Sequence, residues 1–469
     1  MPINEHALEA ELGALETRFA ALADRVWATP ETCYEETQSS AAHIAELDHH
    51  GFQVKPNAGE VPNAILAESG TGGPIIAFLG EYDALSSLSQ KADVAHPDPV
   101  EPDANGHGCG HNMLGAGAMM AAVAIRNWLR KHKLPGRVRY YGCPAEEGGA
   151  GKTFMVAAGL FRDVDIAITW HPSCITQIIR GSSLASSRID FTFHGRSSHA
   201  AASPHLGRSA LDAAELMNIG ANYLREHMPD EDRLHYTYLD VGGCSPNVVP
   251  SRARVRYVAR SPRTQGLGDL IARLEKVAQG AALMTETHVQ TRILTAVAEI
   301  VPNDRLAATM EQVLRQVGPP AFDDDDKAYA AKFQATLDAG SIKAAYEFVG
   351  CTKSEDKALY DVLLPEDHSP KSLAASTDVG DVSWCVPTVQ IWGANYAIGT
   401  SFHTWQMVAQ GKSRSAYRGM FHAAKVMAMT AKEAFCDPDL VREAKAELEQ
   451  RAGTGYTSLL PADARPGFD

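Results

Sequence analysis

The chain has 469 residues, 45% hydrophobic and 21% charged, a balance that suits a folded globular protein of two or three domains. It excludes a disordered chain, a fibrous repeat and a small disulfide-stapled scaffold. With 43 basic against 57 acidic residues the formal charge is −14, the wrong sign for a general nucleic-acid binder.

In chain order, Glu5 to Val26 carries apolar residues at helical spacing and predicts an amphipathic helix. Pro74 to Leu79 reads as a buried strand, Asn112 to Lys131 as a helix, Arg137 to Cys143 and Val164 to Trp170 as strands. Further on come a helix over Asp304 to Val317, a strand over Pro387 to Trp392 and a long helix from Ser413 to Ala434. Strands alternating with helices predict an α/β fold, a mixed, mostly parallel sheet with helices on both faces.

The middle of the chain has another rhythm. Arg188 to Phe193 alternates polar and apolar residues, a helix follows over Arg208 to Glu226, then strands over Leu234 to Val241 and Arg252 to Arg260. A helix over Leu267 to Leu283 and a strand over His288 to Val301 complete a β-α-β-β-α-β order, a small α+β (ferredoxin-like) sheet with two helices on one face. The organisation expected is a catalytic domain over 1–184 and 301–469, interrupted by a lid or dimerisation domain over 185–300. Asp323 to Lys327 and the polar span Lys353 to Ser372 read as surface loops.

The longest apolar run, Met113 to Ile125, falls short of the roughly 20 residues of a membrane span. The opening Met1 to Glu5 lacks the basic stretch and apolar core of a secretory signal, and the eight cysteines form no C-x-x-C pair. Free thiols in a soluble cytoplasmic protein are expected.

Four clusters carry chemistry. In Gly106-His107-Gly108-Cys109-Gly110-His111-Asn112, Cys109 and His111 stand two residues apart before a helix, so both side chains can turn to one side. A thiolate and an imidazole meeting there suit Zn²⁺ or another borderline divalent ion. Glu146 and Glu147 follow the strand that ends at Cys143, at the edge where open α/β sheets place their sites. One carboxylate of such a pair can bind metal while the other serves as general base. His171 closes another strand, and His403 follows the last. Five ligands and a spare carboxylate exceed the needs of one tetrahedral ion and match a two-metal hydrolase. Gly148 to Thr153 mimics a phosphate-binding loop, but Glu146 stands where that loop needs glycine.

Taken together, GHGCGHN, PAEEGG, a histidine closing a strand, G-x-x-S-H-A-A and a C-terminal F-H-T resemble the M20 metallopeptidase family, in its amidohydrolase branch with aminoacylases and auxin-conjugate hydrolases. The resemblance implies Cys109, His111, Glu147, His171 and His403 as ligands of two divalent ions, Mn²⁺ or Zn²⁺, and Glu146 as general base. It implies that His199 of the lid reaches a neighbouring active site to polarise the substrate carbonyl, and that Asn247 contacts substrate. Arg260, closing the next strand, is a candidate for the substrate carboxylate, with a surface ion pair as the alternative. Asp83 matches an aspartate that steadies a metal-binding histidine, a histidine whose position Glu81 takes here. Asn112 replaces the aspartate of many aminoacylase-like members, and Asp378 and Asp381 receive no role.

The implied reaction is hydrolysis of an N-acyl or N-aroyl amino acid, of the p-aminobenzoyl-glutamate or indoleacetyl-aspartate type. The implied partners are a small carboxylate-bearing amide and a second copy of the chain, or a related subunit in a hetero-oligomer; neither nucleic acid nor membrane is expected. The rival readings are a dipeptidase for β-alanyl or basic dipeptides and a non-catalytic partner subunit.

Overall fold

The computed structural model describes residues 5–351, 357–365, 373, 375–453 and 456–467. Eleven strands form two sheets among the described residues. The first sheet holds β1 (Gln53–Pro56), β2 (Ile65–Thr71), β3 (Ile75–Glu81), β4 (Gly136–Cys143), β5 (Ile166–Ser173) and β6 (Gln177–Ile179). The second holds β7 (Ala185–His194), β8 (Arg233–Asp240), β9 (Arg252–Ser261) and β10 (His288–Val297), after which β11 (Thr388–Ala394) returns to the first.

The seven-stranded sheet runs β1-β2-β4-β3-β5-β11-β6. Its central pairings, β4 with β3, β3 with β5 and β5 with β11, are parallel, and the outer strands are antiparallel. Because side chains alternate along a strand, β3 feeds two cores at once. Ile76 and Phe78 pack toward the helices Glu5–Trp27, His111–His132 and Arg414–Cys436. Ile75, Ala77 and Leu79 pack with Phe154 and Met155 of the helix Gly151–Ala157 and Val379 and Val382 of the helix Val379–Cys385. The expected helix-covered sheet is therefore present, with its parallel strands all ending at one edge.

The four-stranded sheet is antiparallel in the order β10-β7-β9-β8, which is the ferredoxin-like arrangement. Phe191, Phe193, Val255 and Tyr257 bury one face under the helices Ala210–Leu224 and Thr264–Thr285. The chain enters and leaves this sheet through adjacent segments. Ser182 Oγ donates to the carbonyl of Ile300 at 2.7 Å, and the amide of Ile300 donates to Ser183 Oγ at 3.1 Å.

Two sequence expectations need correction. Asp323 to Lys327 is no surface loop: Asp323 caps the helix Asp324–Gln334 in a reciprocal box with Asp326. Carboxylates are favoured at a helix N-terminus, and Arg414 and Arg418 pair with Asp323 and Asp326. Much of Lys353 to Ser372 lies outside the described residues, but within 357–365 Leu359, Tyr360 and Leu364 are buried in the main core.

Asp381 ties the two sheets together from inside the fold. It accepts from the amide of Ala298, at the exit of β10, at 3.2 Å, and from the Tyr456 hydroxyl. Gly380 beside it lets the helix lie against that exit strand, since a Cβ there would sit 1.9 Å from the Ala298 carbonyl. Burial, then the nearby Asp378 charge, push Asp381 up to about 7. A carboxyl whose folded pKa is raised binds protons in the folded state that the unfolded chain releases, so its contribution falls as pH rises from about 3.8 to about 7. Asp381→Asn is expected to remove that segment of the stability–pH curve, by roughly 2–4 kcal/mol, in urea titrations across pH 4–8.

Candidate metal centre

The carboxyl ends of β3, β4, β5 and β11 deliver the chemistry to one edge. Glu81 ends β3, and Asp83 follows two residues later. Past β4, Ala145 takes φ +59°, and its amide is held at 2.9 Å by the buried Glu36 carboxylate. That turn sends Glu146 and Glu147 different ways. Gly110, at φ +76°, opens the helix His111–His132, and a Cβ there would meet the Tyr396 hydroxyl at 2.3 Å. This accounts for the glycine-rich spacing around Cys109.

The ligand atoms converge. Cys109 Sγ lies 3.4 Å from His171 Nε2, and His403 Nε2 lies 3.3 Å from Glu147 Oε2. His111 Nε2 stands 3.3 Å from Glu81 Oε2 and 3.9 Å from Glu147 Oε1. Three overlapping groups, Cys109/His111/His171, Cys109/Glu147/His403 and Glu81/His111/Glu146, each gather their ligand atoms within 4.8 Å.

Neighbouring groups fix how the ligands present themselves. Asp83 accepts from His111 Nδ1 at 2.8 Å through one oxygen and from the Glu147 amide at 2.8 Å through the other. His171 Nδ1 donates to the Pro172 carbonyl at 2.8 Å. Both imidazoles therefore keep Nε2 as the lone-pair atom facing the cluster. Within it His111 Nε2, Glu147 Oε1 and Glu81 Oε2 are buried without a hydrogen-bond partner. Atoms of that kind are costly to bury unless a cation serves them, so the donor set fits divalent metal.

Charge points the same way. Burial pushes His171 down to about 4, leaving it neutral and able to ligate. Burial works against the Glu147 carboxylate, yet the hydrogen bond from His403 holds it at about 2. Glu146 is raised well above the ordinary carboxylate range by burial and by Glu81, Glu147 and Asp378. Five carboxylates (Glu81, Asp83, Glu146, Glu147, Asp378) crowd this edge, and the ammonium buried among them is Lys152. Its Nζ lies 2.6 Å from both Glu81 and Asp378.

Spacing alone does not reveal Glu81, Lys152 and Asp378. Lys152 sits in the false phosphate-loop motif, where its burial gives it a structural ion triad. Asn112 also finds an explanation: its amide donates to the Gly411 carbonyl at 3.1 Å, a bond that aspartate could not make. His107 points elsewhere, with Nε2 against the Val26 carbonyl at 2.9 Å.

A cavity of about 400 Å³ opens from the cluster toward the four-stranded sheet. One wall is aromatic: Phe348 stacks on Trp392 at 5.2 Å between ring centres, and Phe402 stands 6.1 Å from Trp392 and 5.3 Å from His171. Opposite, β7 and β9 contribute Arg188 and Arg260. Arg260 Nη1 donates to Ser376 Oγ at 3.1 Å and meets no carboxylate among the described residues. The surface ion-pair alternative for Arg260 thus finds no partner there. His199 and Asn247 are not brought to this cavity. They lie together in the segments flanking the four-stranded sheet, the Ala200 amide donating to the Asn247 carbonyl.

Comparison with known proteins fits this geometry. The model of peptidase family M20/M25/M40 matches residues 77–361. The chain belongs to this family. It is 42% identical over 473 residues to a p-aminobenzoyl-glutamate hydrolase subunit of Escherichia coli (strain K12), covering 98% of each chain. To the Xaa-Arg dipeptidase of Mus musculus it is 29% identical over 448 residues, covering 92% of this chain and 89% of the relative. Among solved structures, an aminobenzoyl-glutamate utilization protein from Klebsiella pneumoniae shares the fold, with a TM-score of 0.59 at 17% identity over 90% of this chain and 98% of that one. As a family member the chain is a hydrolase. Among the described residues, no helix is long and apolar enough to cross a membrane.

Lys152→Met leaves Glu81 and Asp378 buried without their cation. It is expected to lower the unfolding free energy of the metal-free protein by about 3–5 kcal/mol, read from urea denaturation, with partial recovery when Asp378→Asn is added.

Proposed function

We propose that the chain hydrolyses the amide bond joining an acyl, preferably aroyl, group to an amino acid. One observation carries the reading: the cluster opens into a cavity with an aromatic wall on one side and, on the other, an arginine that meets no carboxylate among the described residues. An aryl group stacks against Phe348, Trp392 and Phe402. The amino acid's carboxylate pairs with the Arg260 guanidinium, a bidentate match. The 42% identity to a p-aminobenzoyl-glutamate hydrolase subunit supports the same choice of substrate.

Cys109, His111, Glu147, His171 and His403 would hold two divalent ions, Mn²⁺ or Zn²⁺, donors of a kind that both accept. Such ions supply Lewis acidity toward water and toward the amide carbonyl. Asp83 keeps His111 and the Glu147 backbone in register for that task. Glu146, which lines the cavity, is the base that takes the proton of the attacking water and passes it to the leaving amine. His199 keeps Nδ1 as the acceptor of the Ala201 and Ala202 amides at 3.2 and 3.1 Å. Its Nε2 therefore carries the proton, ready to donate to a carbonyl oxygen. Because His199 and Asn247 stand apart from their own cavity, they serve the site of a second copy or of a related subunit. The exposed Tyr236 and Tyr238 on the edge strand β8, with Ile219 and Tyr223 on the adjoining helix, offer the apolar face for that contact.

The dipeptidase reading needs a carboxylate to receive the substrate's free amine. Glu81 and Asp378 are engaged by Lys152, Glu146 and Glu147 belong to the cluster, and the acyl side of the cavity is aromatic. The metal-loaded protein is expected to hydrolyse p-aminobenzoyl-glutamate with kcat/KM at least tenfold above β-alanyl or Xaa-Arg dipeptides; the reverse order would overturn the assignment. Glu146→Gln is expected to keep its metal, measured by elemental analysis, while kcat falls about 10²–10⁴-fold.

A further inference from the structure

The face of the four-stranded sheet that borders the cavity is unusually basic for a chain of net charge −14. Residues directly opposed across antiparallel strands share a face, so the register places Arg252, Arg254, Arg256 and Arg260 of β9 on one side with Arg188 of β7 and Arg292 of β10. The carboxylates on that face of the four strands are Asp190 and Asp240. Asp190 is held by Arg256 through two bonds of 2.6 and 2.9 Å, while Arg254 Nη1 reaches it only at 3.8 Å. Arg254 Nε is buried with no hydrogen-bond partner. Burial and the adjacent Arg256 guanidinium hold Arg188 below its ordinary value, the effect of cations packed side by side.

The arrangement is a track rather than a patch. Alternate residues of a strand lie about 6.8 Å apart, so Arg252 to Arg260 extend about 27 Å outward from the catalytic cavity. Arg260 is half-buried beside the cavity, and at the far end the exposed Arg252 pairs with Asp240, which leaves Arg260 and Arg254 as the cations of β9 without a close carboxylate among the described residues. A substrate bearing one carboxylate would use only Arg260. Further cations at strand spacing suit a chain of carboxylates.

We propose that the arginines of β9 bind an acidic extension of the leaving amino acid, so that the preferred substrates are aroyl amides of short oligoglutamate or oligoaspartate chains rather than of a single amino acid. This rests on the proposed amide hydrolysis for the identity of the aroyl end, and on the sheet's own charge pattern for the rest.

The test measures binding before turnover. p-Aminobenzoyl conjugates of one to four glutamates, in an α-linked and a γ-linked series, are titrated calorimetrically into the full-length metal-free protein at several salt concentrations. The expected result, in at least one series, is a Kd that falls threefold or more for each of the first two added glutamates. The dependence of log Kd on log salt should steepen with length. Arg254→Gln and the exposed Arg252→Glu, each checked for an unchanged unfolding midpoint, should shrink the gain from the added glutamates at least threefold. A Kd indifferent to length in both series, or gains that both variants retain, overturns the proposal. Turnover separates it from the parent reading: length-dependent binding without hydrolysis of any conjugate would sink the amide-hydrolase assignment and leave the track standing. Hydrolysis of the monoglutamate with flat binding would do the opposite.

Discussion

Everything at the catalytic edge follows from packing more negative charge than the protein itself can neutralise. Glu81, Asp83, Glu146, Glu147 and Asp378 are drawn together by the ends of the parallel strands, and the ammonium sealed among them is Lys152. Carboxylates and a thiol do not stay ionised in a low-dielectric pocket unless something offsets their lost hydration. Lys152 settles part of the imbalance by holding Glu81 and Asp378. Asp83 settles another part by fastening itself to His111 and to the Glu147 amide. What is left over, on Nε2 of His111 and on oxygens of Glu147 and Glu81, is the demand for divalent cations.

The candidate metal ligands and the cavity's arginines are divided between the two sheets. The parallel strands supply donors at fixed spacing because each ends at the same edge, with backbone devices such as the positive φ of Ala145 aiming successive glutamates apart. The antiparallel sheet supplies no ligand atoms to the cluster; it faces the cavity with arginines and small polar residues. The sign of the charge reverses across the cleft, acidic at the cluster and basic on the sheet opposite. On the proposed function, that reversal would orient an anionic amide before any chemistry, its carboxylate drawn toward the basic sheet.

Much of this is legible in the sequence. Parallel strands buried on both faces read as continuous apolar runs, as Ile75 to Leu79 does, and the alternation of Arg188 to Phe193 betrays a sheet with one solvated face. The candidate ligands can be picked out because Cys109, His111, Glu147 and His171 stand at or close to a strand or helix end. The parts that stay hidden are those that depend on long-range contact. Lys152 lies in a glycine-rich stretch that resembles something else, and only folding brings Asp378, 226 residues away, against its Nζ. The aromatic wall joins Phe348, Trp392 and Phe402 from three separate segments. Asp323 misleads because a run of like charges resembles a solvated loop until Arg414 and Arg418, far along the chain, arrive to neutralise it.

The paired crossings at Ser182–Ser183 and Ile300 carry a mechanical consequence. Two straps fastened side by side resist torsion and sideways slip of the body attached to them. The inserted sheet is fastened in this way at both of its crossings, so the same guanidinium is presented to the same spot over the cleft.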